Sequence, residues 1–354
     1  MALPTTGYGT ATNGAPGASL TAFTFLVDLS DMHASWWTEC NSTVGAKGRA
    51  AKNDATELAT DWIDFNQGAE TGWVRVNWSG TWNAAATVRI YPPHTDNDTL
   101  AVGDTYGQHA AYDSSWEAYW PLHDGNDRTS NAKHLTAQDG LVFGTGTGKV
   151  GSSTDFDGID DYASSDAGTA SPVATYMAWI NSDDDPASID RRIIFYDDVF
   201  GDRLWWWVGG DGAASGEQAF YNGSAYKHSN TVVSQSTWTH VAVSNNSSGP
   251  LIQFYKDGAT DGSDASYRNG TPTKIALGLS GFSSYWFDGN MDDAQVHSGI
   301  RTAEWIAEEH DQSDANATFW GSWSWTAGGG GPTVPVLDEG MLVGGLQALA
   351  GGLA

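Results

Sequence analysis

Cysteine occurs once in the 354 residues, as Cys40, so the chain closes no disulfide within itself and offers no Cys-x-x-Cys or Cys/His zinc spacing. Cys40 follows Trp36 and Trp37 and reads as a small buried hydrophobe. Basic residues are scarce: 16 Lys and Arg face 43 Asp and Glu, for a net charge of −27. That charge repels phosphates and no basic stripe offsets it, which excludes nucleic acid as a partner. It favours solubility and attracts divalent cations instead. Leu, Glu, Lys and Arg are sparse, which leaves little material for long helices. No run reaches the ~18 apolar residues of a membrane span. No basic segment followed by an apolar run opens the chain, so no signal peptide is expected.

Tryptophan and glycine are abundant, at 18 and 43 copies. Together with β-branched residues they suit short strands joined by tight turns. Strand-like runs stand at 22–29, 72–78 and 86–91, and the last two alternate in side-chain character as half-buried strands do. Further strands at 174–180, 192–196, 203–208, 239–243, 252–255 and 274–277 are punctuated by Asp-Gly, Asn-Gly and Gly-Ser turns. Many short strands with regular turns predict an all-β, antiparallel β-sandwich. One short helix is expected over 302–310, with Thr302 as N-cap and Glu304 in its first turn. The organisation that follows is an extended arm at 1–20, a smaller β-rich domain at 21–115, the sandwich at 116–326, and a Gly-rich linker with an apolar tail at 327–354.

Motifs in the third segment, taken in order, carry a resemblance. Phe156-Asp157-Gly158-Ile159-Asp160-Asp161-Tyr162 is followed by Met177-Ala178-Trp179-Ile180, then Trp238-Thr239-His240-Val241-Ala242-Val243 and Phe254-Tyr255-Lys256-Asp257-Gly258, and finally Phe287-Asp288-Gly289-Asn290-Met291-Asp292-Asp293-Ala294-Gln295-Val296. The segment from Trp116 to Trp325 thereby resembles the laminin-G-like, concanavalin-A-like jelly-roll family. The preceding segment is similar to a β-rich domain of unknown function that accompanies such modules in phage and bacterial surface proteins. With Trp179, Val241, Val243 and Phe254 on the motif strands, all four are expected to point inward.

The resemblance implies a calcium ion in rim loops. The candidate ligands are Asp155, Asp157, Asp160, Asp288 and Asp292, with Asp161 and Asp293 beside them; the alternative is that these aspartates cap turns. Trp205, Trp207 and Trp323 are candidate platforms for a sugar ring, against the commoner role of packing. Glycosidases on this fold need two carboxylates alternating on one strand, and no ExDxE pattern exists here. Gly278-Leu279-Ser280-Gly281-Phe282 lacks the second glycine of a nucleophile elbow, and the 9 histidines form no HxxxH or HExxH. No catalytic residue is therefore expected, and His240 reads as a packed strand residue. In the apolar tail, Leu342, Leu346, Leu349 and Leu353 fall on one helical stripe and are expected to mediate assembly.

The reading from sequence is a non-catalytic surface-display protein, a capsid decoration or tail-fibre component of a phage virion. Its expected partners are other subunits of a larger assembly, reached through the arm and tail, and a host glycan; a homo-oligomer is expected. The alternatives are a carbohydrate-binding adhesin on a bacterial cell surface and, third, a glycoside hydrolase on the same fold.

Overall fold

The computed structural model describes residues 3–13, 19–83, 86–186, 192–197, 204–210, 216–247, 249, 251–279 and 285–328. Every strand pairing among them is antiparallel. The jelly roll expected from the motifs is present as two facing sheets. One runs in the order Gly146–Thr147, Ser152–Asp157, Asp288–Ser298, Ala174–Ser182, Thr239–Asn246, Leu251–Lys256, Ala259–Asp264, with Trp116–Trp120 also paired to Asp288–Ser298. The other runs from Tyr226–Val232 through Glu217–Tyr221, Leu204–Val208, Arg192–Asp197, Ile275–Leu277 and Tyr162–Ser165 to Thr136–Gln138. Between them Tyr176, Ile180, Phe195, Trp206, Phe220, Val241, Val243 and Phe254 form an apolar core.

Trp179 does not join that core. Side chains alternate across a strand, and Tyr176, Ala178 and Ile180 take the inner face of Ala174–Ser182. Trp179 therefore points outward, yet it is buried: its Nε1 donates to Ser313 Oγ at 2.9 Å, beneath the helix Ala303–Asp314. Met177, Ala242 and Tyr255, also facing away from the sandwich interior, belong to a second core with Phe23, Phe25, Val74, Val76, Trp82, Trp116, Trp305 and Ile306. One sheet of the sandwich is thus covered on both faces. That explains why its strands read as near-continuous apolar runs rather than as alternations.

The cover comes from the N-terminal half. Leu20–Asp28, Thr71–Trp82 and Thr60–Asn66 make a three-stranded sheet. Phe25 packs between Trp82 and Trp320, with ring centroids 5.0 Å from each. The outer edge of Leu20–Asp28 is closed by side chains of the C-terminal helices: Gln312 Oε1 accepts from Leu26 N, and Asn316 Nδ2 and Trp320 Nε1 donate to Leu26 O. An edge strand needs such partners for its free backbone groups. Residues 8–12, expected as part of an extended arm, form the strand Tyr8–Thr12, which lies between Thr87–Tyr91 and Ser324–Thr326. The two ends of the described chain are therefore joined in one sheet.

A buried ion cluster sits between the halves. Arg75, on Thr71–Trp82, pairs with Asp293 at 2.8 Å and Glu309 at 2.7 Å, and none of the three is more than 1% exposed at its side chain. Gln295 Nε2 bridges the two carboxylates at 2.9 and 2.7 Å. Asp293 reaches Arg75 from a β-bulge, where it adopts a left-handed backbone (φ 50) and shifts the register against Ala174–Ser182.

His240 carries a pH signature. It is buried between Trp179 and His310, ring centroids 5.3 and 5.9 Å away, and burial with a contribution from His310 pushes its pKa down to about 3. The folded state keeps it neutral, whereas the unfolded chain protonates it below its ordinary 6.5. Stabilisation present above pH 6.5 is thus lost progressively as pH falls toward 3, at about 1.4 kcal/mol per pH unit for this group. Urea unfolding of wild type and His240→Phe across that range should show the difference between them shifting in favour of the variant with that slope. A pH-independent difference contradicts the assignment.

Candidate functional site

The rim aspartates divide into two groups. Asp155 and Asp157 lie on the outward positions of Ser152–Asp157, and Asp157 stands opposite Asp288 in the ladder. The turn that follows brings carboxylate oxygens of Asp157, Asp160 and Asp161 within 4.8 Å of one another. Asp157 Oδ1 also accepts the backbone N–H groups of Ile159, Asp160 and Asp161, so it caps the turn as well as facing the cluster. Burial raises the Asp157 pKa, but those N–H groups outweigh it and hold the carboxyl below the usual range. Asp155 and Asp161 are raised, by burial first and then by neighbouring aspartates. This like-charge crowding is what a bound cation relieves, and an all-oxygen donor set fits calcium.

Asp292 belongs elsewhere. It is fully buried, and its oxygens accept the N–H groups of Lys149, Val150 and Asp293 at 2.6, 2.7 and 2.8 Å. Burial, then Asp293, pushes its carboxyl well above the ordinary value. Asp293 is engaged by Arg75. These two are structural members of the junction and do not belong to the turn cluster.

Two of the three tryptophan candidates, Trp207 and Trp323, are packed. Trp207 is wholly buried on the outer side of its sheet, edge-to-face with Tyr226 at 5.1 Å. Trp323 is 7% exposed and packs against Trp320. Neither presents a free face to a sugar. Trp205 lies on Leu204–Val208, but its side chain is outside the described residues, as are Leu342, Leu346, Leu349 and Leu353.

Two clefts lie where the N-terminal half meets the sandwich. One, of about 320 Å³, is lined by Thr60, Asp61, Trp62, Asp64, Phe65, Gln108 and His123 among others. A second, of about 310 Å³, shares Asp64 and adds Trp73, Lys149 and the glycine-rich turn at 146–151. Asp64 fastens the junction between them: its Oδ2 accepts from Ser152 N at 3.1 Å and Ser152 Oγ at 2.7 Å, on a left-handed backbone (φ 46). Asp61 is buried and committed, its Oδ2 accepting from Tyr112 Oη at 2.6 Å and Arg128 Nε at 3.1 Å. Sequence reasoning missed this cleft. The available signal was the run Thr60-Asp61-Trp62-Ile63-Asp64-Phe65, where Ile63 takes the buried position and Trp62 is left on the other face.

Residues 156–307 match the profile of the Concanavalin A-like lectin/glucanases superfamily. Among solved structures, domain 4 of an extracellular arabinanase from Geobacillus stearothermophilus, solved with arabinotriose, is 16% identical with a TM-score of 0.47, over 55% of this chain and 97% of that domain. The botulinum neurotoxin serotype D binding domain is 13% identical with a TM-score of 0.43, over 59% of this chain and 53% of that one. The type G receptor binding domain is 10% identical with a TM-score of 0.43, over 56% of this chain and 51% of that one. This chain therefore spans about half the length of the toxin domains. No curated protein matches it significantly.

Proposed function

We propose that this chain, whose residues 156–307 form a concanavalin-A-like domain, is a non-catalytic binding protein displayed on a larger assembly, a phage virion. The observation that carries the non-catalytic part is the state of the carboxylates. Hydrolysis of a glycoside needs two of them facing one cleft, one as acid and one as base or nucleophile. In the junction cleft Asp61 is held by Tyr112 and Arg128, which leaves Asp64 without a second member. The crowded aspartates at 157–161 line neither junction cleft. Retention on insoluble polysaccharides without release of reducing ends is the expected behaviour. Release that disappears when a single Asp or Glu is replaced would overturn the reading.

Display on an assembly is supported by the glycine run Gly328–Gly331 and the apolar segment after it, which carries only Asp338 and Glu339 as charged residues. Truncation after Gly331 should leave the body folded but abolish assembly; assembly equal to that of the full chain would exclude the tail as its anchor.

Calcium at the 157–161 turn is supported by the three carboxylates within 4.8 Å of one another. The ion would tie the turn to its strand. A cation bound only by the folded state stabilises it by about 2.7 kcal/mol at a hundredfold excess over its dissociation constant. The melting midpoint should fall on chelation, recover with calcium and not with magnesium, and lose this response in Asp157→Asn/Asp160→Asn. Identical melting with and without chelator rules the site out.

A further inference from the structure

We infer that the junction cleft bounded by Trp62 and Phe65 binds a neutral saccharide, with its hydroxyls donating to Asp64, Gln108 and His123. This rests on the binding reading above and goes past it in naming the site and the ligand class. The cleft lies outside the segment that matches the superfamily profile, on the strand Thr60–Asn66 and the loops around 100–123. Its volume of about 320 Å³ is at the small end for ligand pockets; that is room for about one or two sugar rings.

The lining selects the ligand. Trp62 and Phe65 are half-buried and meet edge to face, centroids 5.6 Å apart at 84°. With Trp36 and Trp37 stacked behind them, rings in direct contact at a right angle leave no gap for a cation between them and form an apolar corner against which the C–H face of a sugar can pack. The Gly45–Gly48 backbone lies directly against the indole: a Cβ at Gly48 would fall 2.0 Å from Trp62 Cζ2. Trp62 is thereby held in place before any ligand arrives, which lowers the ordering cost of binding.

The polar groups are acceptors. Asp64 gives Oδ2 to Ser152, and among the described residues its Oδ1 has no hydrogen-bond partner. Gln108 donates through Nε2 to Arg128 O at 3.0 Å and keeps Oε1. His123 Nδ1 is buried and unpartnered, while its Nε2 lies 3.4 Å from Asp124. Burial pushes the His123 pKa down, so the ring is neutral and Nδ1 accepts. Among the described residues no lysine or arginine lines the cleft. The Arg128 guanidinium behind the lining is taken up by Asp61 and Trp62 O, so a carboxylate or phosphate would face the Asp64 charge, whereas sugar hydroxyls supply donors to these acceptors.

The test uses the full chain on an array of neutral gluco-, manno-, galacto- and arabino-oligosaccharides, with sialylated glycans and choline as controls. Trp62→Ala, Gln108→Leu and Gly48→Ala are then measured on the best binder, each checked for a wild-type melting midpoint. Gly48 has an ordinary backbone (φ −76, ψ 165), so alanine there acts only by displacing the indole. Neutral saccharides should bind, with at least a tenfold loss in Trp62→Ala and Gly48→Ala and a severalfold loss in Gln108→Leu; sialylated glycans and choline should not. Should Trp62→Ala fail to fold, the other two variants decide. Absence of neutral binders, or preference for choline, overturns the inference. Saccharide binding that is unchanged in the cleft variants but lost in Asp157→Asn also overturns it, and leaves the broader binding reading standing.

Discussion

Replacing Arg75 with methionine should destabilise the protein by about 3–5 kcal/mol, because it leaves the Asp293 and Glu309 carboxylates buried without their cation. Burial disfavours the Arg75 charge, but Asp293 and Glu309 more than restore it, so the guanidinium is held firmly protonated. It also lies over the Tyr119 ring at 4.5 Å and near Trp116 at 5.4 Å, which adds a cation–π attraction lost with it. Such a loss is a large part of the ~5–15 kcal/mol by which a folded domain is stable. Equilibrium urea unfolding measures it directly. The combined variant Arg75→Met, Asp293→Asn, Glu309→Gln should recover part of the loss, since no charge is then left unpaired. A single variant within about 1 kcal/mol of wild type would show that the cluster does not hold the halves together.

The second large effect concerns the sandwich alone. Residues 116–326, excised, should not give a cooperatively folded protein. Trp116, Tyr119, Met177, Tyr255, Trp305 and Ile306 all belong to the core completed by Phe23, Phe25, Val74, Val76 and Trp82 from the other half. Each such side chain gains about 1.5–3 kcal/mol from burial. Exposing several of them costs on the order of 10 kcal/mol, as much as the whole stability of a typical domain. The strand Leu20–Asp28 that anchors the C-terminal helices through Leu26 would also be gone. Calorimetry of the full chain should accordingly show one transition. A soluble fragment with its own sharp melting, or two resolved transitions in the full chain, contradicts a shared core.

The sandwich was legible in the sequence because its strands carry ordered motifs and its turns carry Asp-Gly and Asn-Gly pairs. The direction of Trp179 was not, because the strand is buried on both faces and its apolar run says nothing about which side is which. The strand Tyr8–Thr12 was hidden for a different reason: Gly, Ala and Thr carry weak pattern, and the residues that pair with it lie near position 90 and beyond 320. The ion cluster joins Arg75 to a partner 218 residues away, a pairing no local spacing announces. The acidic turn at 157–161 was visible as a cluster, whereas Asp292 reads the same in sequence and differs only in the backbone turn that covers it. Trp62 stands alone in its strand, with nothing in its spacing to separate it from the tryptophans of the denser runs, where Trp206, Trp207, Trp320 and Trp323 enter cores.

The claim that this protein binds at the junction and performs no cleavage is tested most directly by hydrogen exchange followed by mass spectrometry, with the full chain mixed with neutral oligosaccharides. The account predicts slowed exchange in peptides covering 57–66 and 101–128, and recovery of every oligosaccharide at its original mass. Slowed exchange confined to the turn at 155–161, or oligosaccharides recovered shortened, would contradict it.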